Sequence, residues 1–462
     1  VSREVEPGDP AVVTVGTIHG GTRRNIIPDQ VQLQITVRSY SEEARRQALE
    51  AIRRIARGQG LAAGLPEDRL PGWPAGEHPL PVPIVLRRFA AWLPAATLAQ
   101  SSGAGELEEV VVTARKREEP VQQVPLSISA FSGEQIEALK VRNLQGLSVN
   151  MPNVAMDDIG TTRGVANFSI RGLGINSSIP GIDPTVGVFI DGVYIGQNAG
   201  VVIDMFDVKS LEVLRGPQGT LFGRNVTGGA VLINTRGPTD EFELSARAAV
   251  DGNPNGDGGL NYFFMGAVGG PVSDTLNARL SLYHNDDKGW FENLYDGSNY
   301  GESKTTIFRP VVSWHPDEDV TLLLRWEHTE SDSDGPASQN HTNGSGRPGF
   351  FVNYERDSFD FSVDAPGFLD FEMDFVTAQL DWDVDFGNGT ITNIFGWREY
   401  FHDSYGDIDA QPVWLFHASS INDQEQFSNE LRYNGIFGQA NVTAGVFWFD
   451  NEINYSENRE LL

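Results

Sequence analysis

Val376, Ala378, Leu380, Trp382 and Val384 alternate with Thr377, Gln379, Asp381, Asp383 and Asp385. A strict period of two puts every apolar side chain on one face of an extended strand and every polar one on the other. The pattern recurs where Leu276, Ala278, Leu280 and Leu282 alternate with Asn277, Arg279, Ser281 and Tyr283. It recurs again where Val320, Leu322, Leu324 and Trp326 alternate with Thr321, Leu323, Arg325 and Glu327. One face suits hydrocarbon and the other a wet interior, although the two faces of a soluble β-sandwich alternate in the same way.

Connection lengths separate these options. Short turns at Gly269–Thr275, His315–Asp319, Phe386–Thr390 and Asn434–Gln439 take turns with longer links at Asp251–Gly259, His284–Lys304, Glu330–Phe371 and His402–Asn422. Tight turns on one rim and long loops on the other are the pattern of an antiparallel barrel in an outer membrane. About nine strands fit between Glu241 and Asn454, or roughly 25 residues for each strand and its link. A large outer-membrane barrel of about 22 strands would need about 540 residues at that rate, against the 222 that follow Asp240. The expectation is a barrel wall that stops early, with Glu460–Leu462 in a loop and no closing strand. Two bare edges in lipid are not tolerated, so such a wall would need the remainder to be supplied.

Charge divides the chain in two. Residues 1–100 carry 12 Arg, no Lys and 10 acids, whereas the rest carries 22 basic and 53 acidic groups. The net charge of −29 opposes a nucleic-acid partner, and the absence of Cys removes disulfides, thiolate metal sites and cysteine nucleophiles. No apolar run is long enough for a membrane helix. His284, His315, His328, His341, His402 and His417 show no metal-ligand spacing, so no metal and no cofactor is expected.

In the first part, Ala11–Gly16 and the alternating Val31–Arg38 read as strands. A helix follows, with Ser41 as N-cap, Ala44, Ala48, Ile52 and Ile55 on its apolar face, and Arg53, Arg54 and Arg57 near its end. The string Gly16-Thr-Ile-His19-Gly-Gly-Thr-Arg-Arg-Asn25-Ile-Ile-Pro-Asp29 resembles the lid or dimerisation domain of aminoacylase-like metal-dependent amidohydrolases over about residues 5–65. The resemblance implies that His19 and Asn25 belong to a substrate-facing loop. The family's metal-binding domain is missing, so hydrolysis is not expected. Residues 66–105 read as a Pro-rich linker followed by Arg87, Arg88 and the apolar run Phe89–Ala99, an order like that of a signal peptide.

The middle of the chain is written in glycine turns. Phe168-Ser-Ile-Arg-Gly-Leu-Gly174, Val186-Gly-Val-Phe-Ile-Asp-Gly-Val-Tyr194 and Leu211-Glu-Val-Leu-Arg-Gly-Pro-Gln-Gly-Thr-Leu-Phe-Gly-Arg-Asn225 are apolar strands that end where Gly permits positive φ. None has the context of a nucleotide-binding loop. Together with Gly228-Gly-Ala-Val-Leu-Ile-Asn234, these strings resemble the plug domain of TonB-dependent outer-membrane receptors.

The resemblance implies five segments: an α+β fragment at 1–65, the linker at 66–105, a tether at 106–119, a plug at 120–236 and the first part of a β-barrel at 237–462. The fold class is mainly β, a plug inside an incomplete transmembrane antiparallel β-barrel. Glu109, Val110, Val111, Val112, Thr113 and Ala114 are similar to the TonB box, an exposed stretch suited to adding a strand to a partner's sheet. Arg171, Glu212, Arg215 and Arg224 become candidate plug–barrel contacts, the arginines meeting carboxylates on the wall, with Glu430 as one such inward carboxylate. The implied function is energy-coupled uptake of a scarce ligand such as a ferric siderophore. The implied partners are the TonB energy-coupling protein and outer-membrane lipid. A non-functional fusion, a remnant hydrolase and a passive porin or adhesin are the alternatives, and the loops carry no readable code for the ligand.

Overall fold

The computed structural model describes residues 11–20, 30–39, single helical positions between 46 and 57, 82–87 and, with interruptions of which 340–359 is the longest, 111–462. Two compact units divide the chain, Val1–Gly105 and Glu106–Leu462. In the first, β1 (Ala11–Gly20), β2 (Gln30–Ser39) and β3 (Val82–Arg87) form an antiparallel sheet in that order. His19 lies on β1 opposite Gln32, past a bulge between Val15 and Thr17, and not in a loop. Ile52 is buried on a helical stretch whose Arg53, Arg54 and Arg57 are exposed. Asn25, Ser41, Ala44, Ala48, Ile55 and the apolar run Phe89–Ala99 lie outside the described residues.

The linker reading of residues 66–105 is corrected at 82–87, which pair with β2 from Gln30↔Arg87 to Ile35↔Val82. Pro83 concealed this strand, yet proline is compatible with an edge strand, where one side needs no N–H donor.

The second unit begins with β4 (Val111–Val112) and β5 (Glu119–Pro120), which pair with each other. Then come β6 (Ile128–Ser132), β7 (Val154–Ile159), β8 (Thr162–Ile170), β9 (Leu173–Gly174), β10 (Val186–Ile190), β11 (Val193–Ile195), β12 (Val208–Arg215) and β13 (Gly229–Thr235). Five of these form a mixed sheet in the order β11-β10-β13-β12-β6, with β10 and β13 parallel. Its centre is apolar on both faces: Leu211, Val213, Leu214, Ala230 and Val231 are fully buried, which explains the unbroken hydrophobic runs. The Ser132 N–H donates to Gln135 Oε1 (3.1 Å) and the Gln135 N–H to Ser132 Oγ (3.3 Å), a capping box that starts the helix Gly133–Leu139. The two short hairpins are explained by their glycines. Arg171-Gly172 (φ 55°, 80°) and Asp191-Gly192 (φ 48°, 83°) are left-handed pairs, the conformation whose twist matches the flanking strands.

The rest of the unit is a nine-stranded antiparallel wall. It consists of β14 (Glu243–Gly252), β15 (Leu260–Ser273), β16 (Leu276–Asp287), β19 (Ser303–Asp317), β20 (Val320–Asp334), β22 (Phe368–Val384), β23 (Gly389–Asp407), β24 (Phe416–Phe437) and β25 (Ala440–Leu461), each paired with its neighbour in the chain. Among the long links, β17 (Phe291–Asn293), β18 (Ser298–Tyr300) and β21 (Asp360–Phe361) make a small separate sheet. Residues Glu460 and Leu461 belong to β25, opposite His417 and Phe416, so the loop expected at the chain end is a strand. Its last turns of strand are polar on both faces, and backbone pairing does not require apolar side chains.

On the plug-facing side of β16, Asn277, Arg279, Ser281 and Tyr283 are buried, while Leu282 on the other face is exposed. The outer face changes character along each strand. On β22 it runs Asp370, Glu372, Asp374 and then Val376, Ala378, Leu380, Trp382. The Trp326 indole donates to Asp374 (2.8 Å) and the Trp397 indole to Glu425 (3.2 Å), which marks the border between acidic rim and apolar band. From Asp374 to Trp382 the strand rises about 27 Å. At a tilt of about 40° this is about 21 Å of height, near the ~25 Å apolar band of such barrels.

Candidate functional site

The described part of the tether is docked, not exposed. Val112 is 1% exposed and packs among Phe189, Leu214 and Phe222 of the plug. The Thr113 backbone N–H and hydroxyl both donate to the Glu212 carboxylate, at 2.8 and 3.1 Å. Four residues on from Val112, the Lys116 ammonium reaches the inward-facing Glu430 of β24 at 2.9 Å and lies 5.0 Å from the centre of the Phe222 ring. Burial lowers the Lys116 pKa, and Glu430 opposes this by hydrogen bond and charge. Val111 pairs with Pro120; Glu109, Val110 and Ala114 lie outside the described residues. An apolar, β-branched stretch finds a better partner in the plug core than in water, which is why exposure was the wrong expectation for Val112.

The plug arginines do not meet wall carboxylates in the way expected. Arg171 occupies the left-handed turn position after β8 and is exposed. Arg215 donates to Ser129 inside the plug, and burial, followed by the charge of Arg171, lowers its pKa. Arg224 binds Asp183 of the plug at 2.6 Å and reaches the wall through the Phe449 ring, 5.8 Å away. Glu212 holds the tether, and Glu430 meets a tether lysine.

Apart from that lysine the polarity is reversed, and the wall supplies the cations. Arg279 of β16 grips Asp207 of the plug with two bonds of 2.6 and 2.8 Å, and Ser281 adds a third donor. Burial by itself would raise the Asp207 pKa; the donors Arg279 and Ser281, with the charges of Arg279 and Arg309, outweigh it and hold the carboxyl below its ordinary value. Arg309 of β19 donates to the Phe206 carbonyl (3.0 Å), and Arg398 of β23, 1% exposed, donates to the Ala199 carbonyl (2.7 Å). Arg325 of β20 lies 3.7 Å from Asp191. Gln426 of β24 accepts from the Gly196 N–H (2.8 Å) and donates to the Tyr194 carbonyl (2.7 Å). Each of these wall residues stands at an inward position of an alternating strand. That was the available signal, an Arg on the wet face of each of β16, β19, β20 and β23.

Close approach also depends on glycine. A Cβ at Gly200 (φ 65°) would lie 2.7 Å from the Tyr400 ring. Gly200→Ala is expected to weaken plug packing by about 1–3 kcal/mol, measured as a shift in the urea midpoint; an unchanged midpoint would mean that the wall yields freely there.

Many polar contacts thus join the plug to the wall, and the described part of the tether is held by both, through Glu212 and Glu430. Residues 120–230 match the family model of the TonB-dependent receptor plug domain, and residues 6–62 that of the peptidase dimerisation domain. Similar relatives include an iron-regulated outer membrane virulence protein of Vibrio cholerae, 29% identical over 37% of this chain and 27% of its own length. Another is the pesticin receptor of Yersinia pestis, 26% identical over 49% and 32%. A thermostable carboxypeptidase of Saccharolobus solfataricus is 44% identical over 12% of this chain and 14% of its own. The chain therefore spans about a third or less of the curated relatives it matches. Among solved structures, the ferric yersiniabactin uptake receptor from Yersinia pestis superposes with a TM-score of 0.60 at 18% identity, covering 73% of this chain and 50% of that one. In its second unit, the chain thus has the fold of TonB-dependent outer-membrane receptors, with residues 120–230 matching the plug-domain model beside a nine-stranded antiparallel wall.

Proposed function

We propose that the second unit works as the plug and wall of a TonB-dependent receptor in the outer membrane of a Gram-negative cell, taking up a ferric siderophore. The observation that carries this reading is the double clasp on the tether, Thr113 to Glu212 on the plug and Lys116 to Glu430 on the wall. A clasp of a few hydrogen bonds stores little energy, so a pull on residues 109–114 by the TonB protein can release it before the plug core gives way. The outward apolar band below the Asp374 level supports a position in lipid, and the iron-related names of the relatives support the cargo class. Nothing in this reading makes or breaks a covalent bond. The first unit, on this reading, is a dimerisation-type module in which His19 has no catalytic part.

Because the chain contains no Cys, Val110→Cys supplies a unique thiol. Mixed with a TonB periplasmic domain carrying one cysteine, it is expected to form a disulfide-linked complex, more of it with a ferric siderophore present, and to lose it when Val112→Pro blocks strand addition. Cross-linking no stronger than that of a thiol at Thr443, on the short-turn end of β25, would sink the reading.

A further inference from the structure

Three side chains converge at the long-loop end of the wall. Asp407 and His417 face each other as the last pair of β23 and β24, and Asp364 comes from the loop between β21 and β22. Asp407 and His417 are 5% and 4% exposed. The ligating atoms of all three lie within 4.8 Å of one another. His417 Nε2 is 3.0 Å from Asp364 Oδ1, and its Nδ1 is 2.9 Å from the Tyr405 hydroxyl. Asp407 accepts the Ala410 N–H on Oδ1 at 2.9 Å. Its Oδ2 is buried with no hydrogen-bond partner among the described residues, and so is Asp409 Oδ1 close by.

We propose that Asp364, Asp407 and His417 form a binding site for a divalent transition-metal ion of the zinc type, a site that the transport reading neither needs nor supplies. A buried carboxylate oxygen without a donor is costly, and a cation held between the three groups satisfies it. Two ligands bound at about 2.0–2.1 Å in tetrahedral geometry stand about 3.3 Å apart, close to the 3.0 Å between His417 and Asp364. One imidazole with two carboxylates suits a first-row ion better than calcium, which takes oxygen ligands alone. With the metal on Nε2, the proton sits on Nδ1 and donates to Tyr405, the outer contact that fixes a ligating imidazole.

The consequence is a staple. Asp364 directly follows Val363, whose N–H and carbonyl are both bonded to the Asn293 amide at 3.1 and 3.0 Å. A metal at this point ties the small loop sheet of β17, β18 and β21 to the rim of β23 and β24.

The test is zinc titration of the 462-residue chain in detergent, with Zn²⁺ alone as the probe. One tightly bound ion per chain is expected, weakened at least ~100-fold by His417→Ala or Asp407→Asn and about 10-fold by the positioning change Tyr405→Phe. Zinc should also raise the melting temperature of the parent chain and leave that of Asp407→Asn unmoved. Cobalt offers a readout that needs no variant, a visible absorption band that appears only on protein binding. No stoichiometric zinc and no cobalt band, or zinc bound equally by parent and His417→Ala, would overturn the proposal.

Discussion

Replacing Arg279 by alanine is expected to destabilise the plug against urea by about 3–5 kcal/mol, because it strips the buried Asp207 carboxylate of both guanidinium bonds and leaves only the Ser281 hydroxyl as donor, with Arg236 no closer than 3.9 Å. Both partners are nearly inaccessible, with side chains 4% and 6% exposed, so water cannot replace the lost guanidinium. The second change, Asp207→Leu placed on Arg279→Met, should recover most of the loss, since an apolar pair of similar volume removes both desolvation costs together. The measurement is the urea midpoint of a fluorophore on Leu173→Cys, an exposed plug position in a chain with no other thiol. A loss below about 1 kcal/mol for Arg279→Ala would mean that the pair is no anchor, the behaviour of exposed ion pairs. Acid should act in the same direction. The Asp207 pKa is lowered in the folded state, so its contribution is complete above the ordinary aspartate range and fades as pH falls through the lowered value.

Glu212→Ala is expected to act oppositely on partner binding, strengthening it. The docked tether is unavailable for strand addition, and the apparent affinity of any partner for it is reduced by the fraction that is free. Hydrogen bonds to a charged group contribute about 1.5–3 kcal/mol. Loss of the Thr113 clasp should therefore raise the affinity for a TonB periplasmic domain about 10- to 150-fold. Titration by fluorescence anisotropy, with Glu212→Gln as the variant that keeps an acceptor, separates release from general damage. Equal affinity in parent and Glu212→Ala would mean that the clasp does not control access to the tether.

Much of this architecture was legible in residue order. Period-two alternation is imposed by strand geometry alone, so Val376–Asp385 announced a strand with one apolar and one polar face before any contact was known. The glycine strings of the plug were equally plain, because Asp191-Gly192 and Arg171-Gly172 need a backbone conformation that few residues accept. Ionic partners were not legible. Arg171, Arg215 and Arg224 stood as the candidate contacts, yet they sit at turns or bind within the plug, while Arg279 stood only as a polar-face residue of an alternating strand and Arg309 and Arg398 were not among the candidates.

The reason is physical. Alternation and turn chemistry are set by nearest neighbours along the chain, so the sequence by itself determined most strands of the wall, its two faces and the glycine turns of the plug, while β3 and the end of β25 escaped it. Which carboxylate meets which arginine depends on groups tens or hundreds of residues apart, such as Asp207 and Arg279, or Thr113 and Glu212. Only the tertiary structure decided those pairs, the docked tether, and the meeting of Asp364, Asp407 and His417, whose spacing in the chain follows no motif.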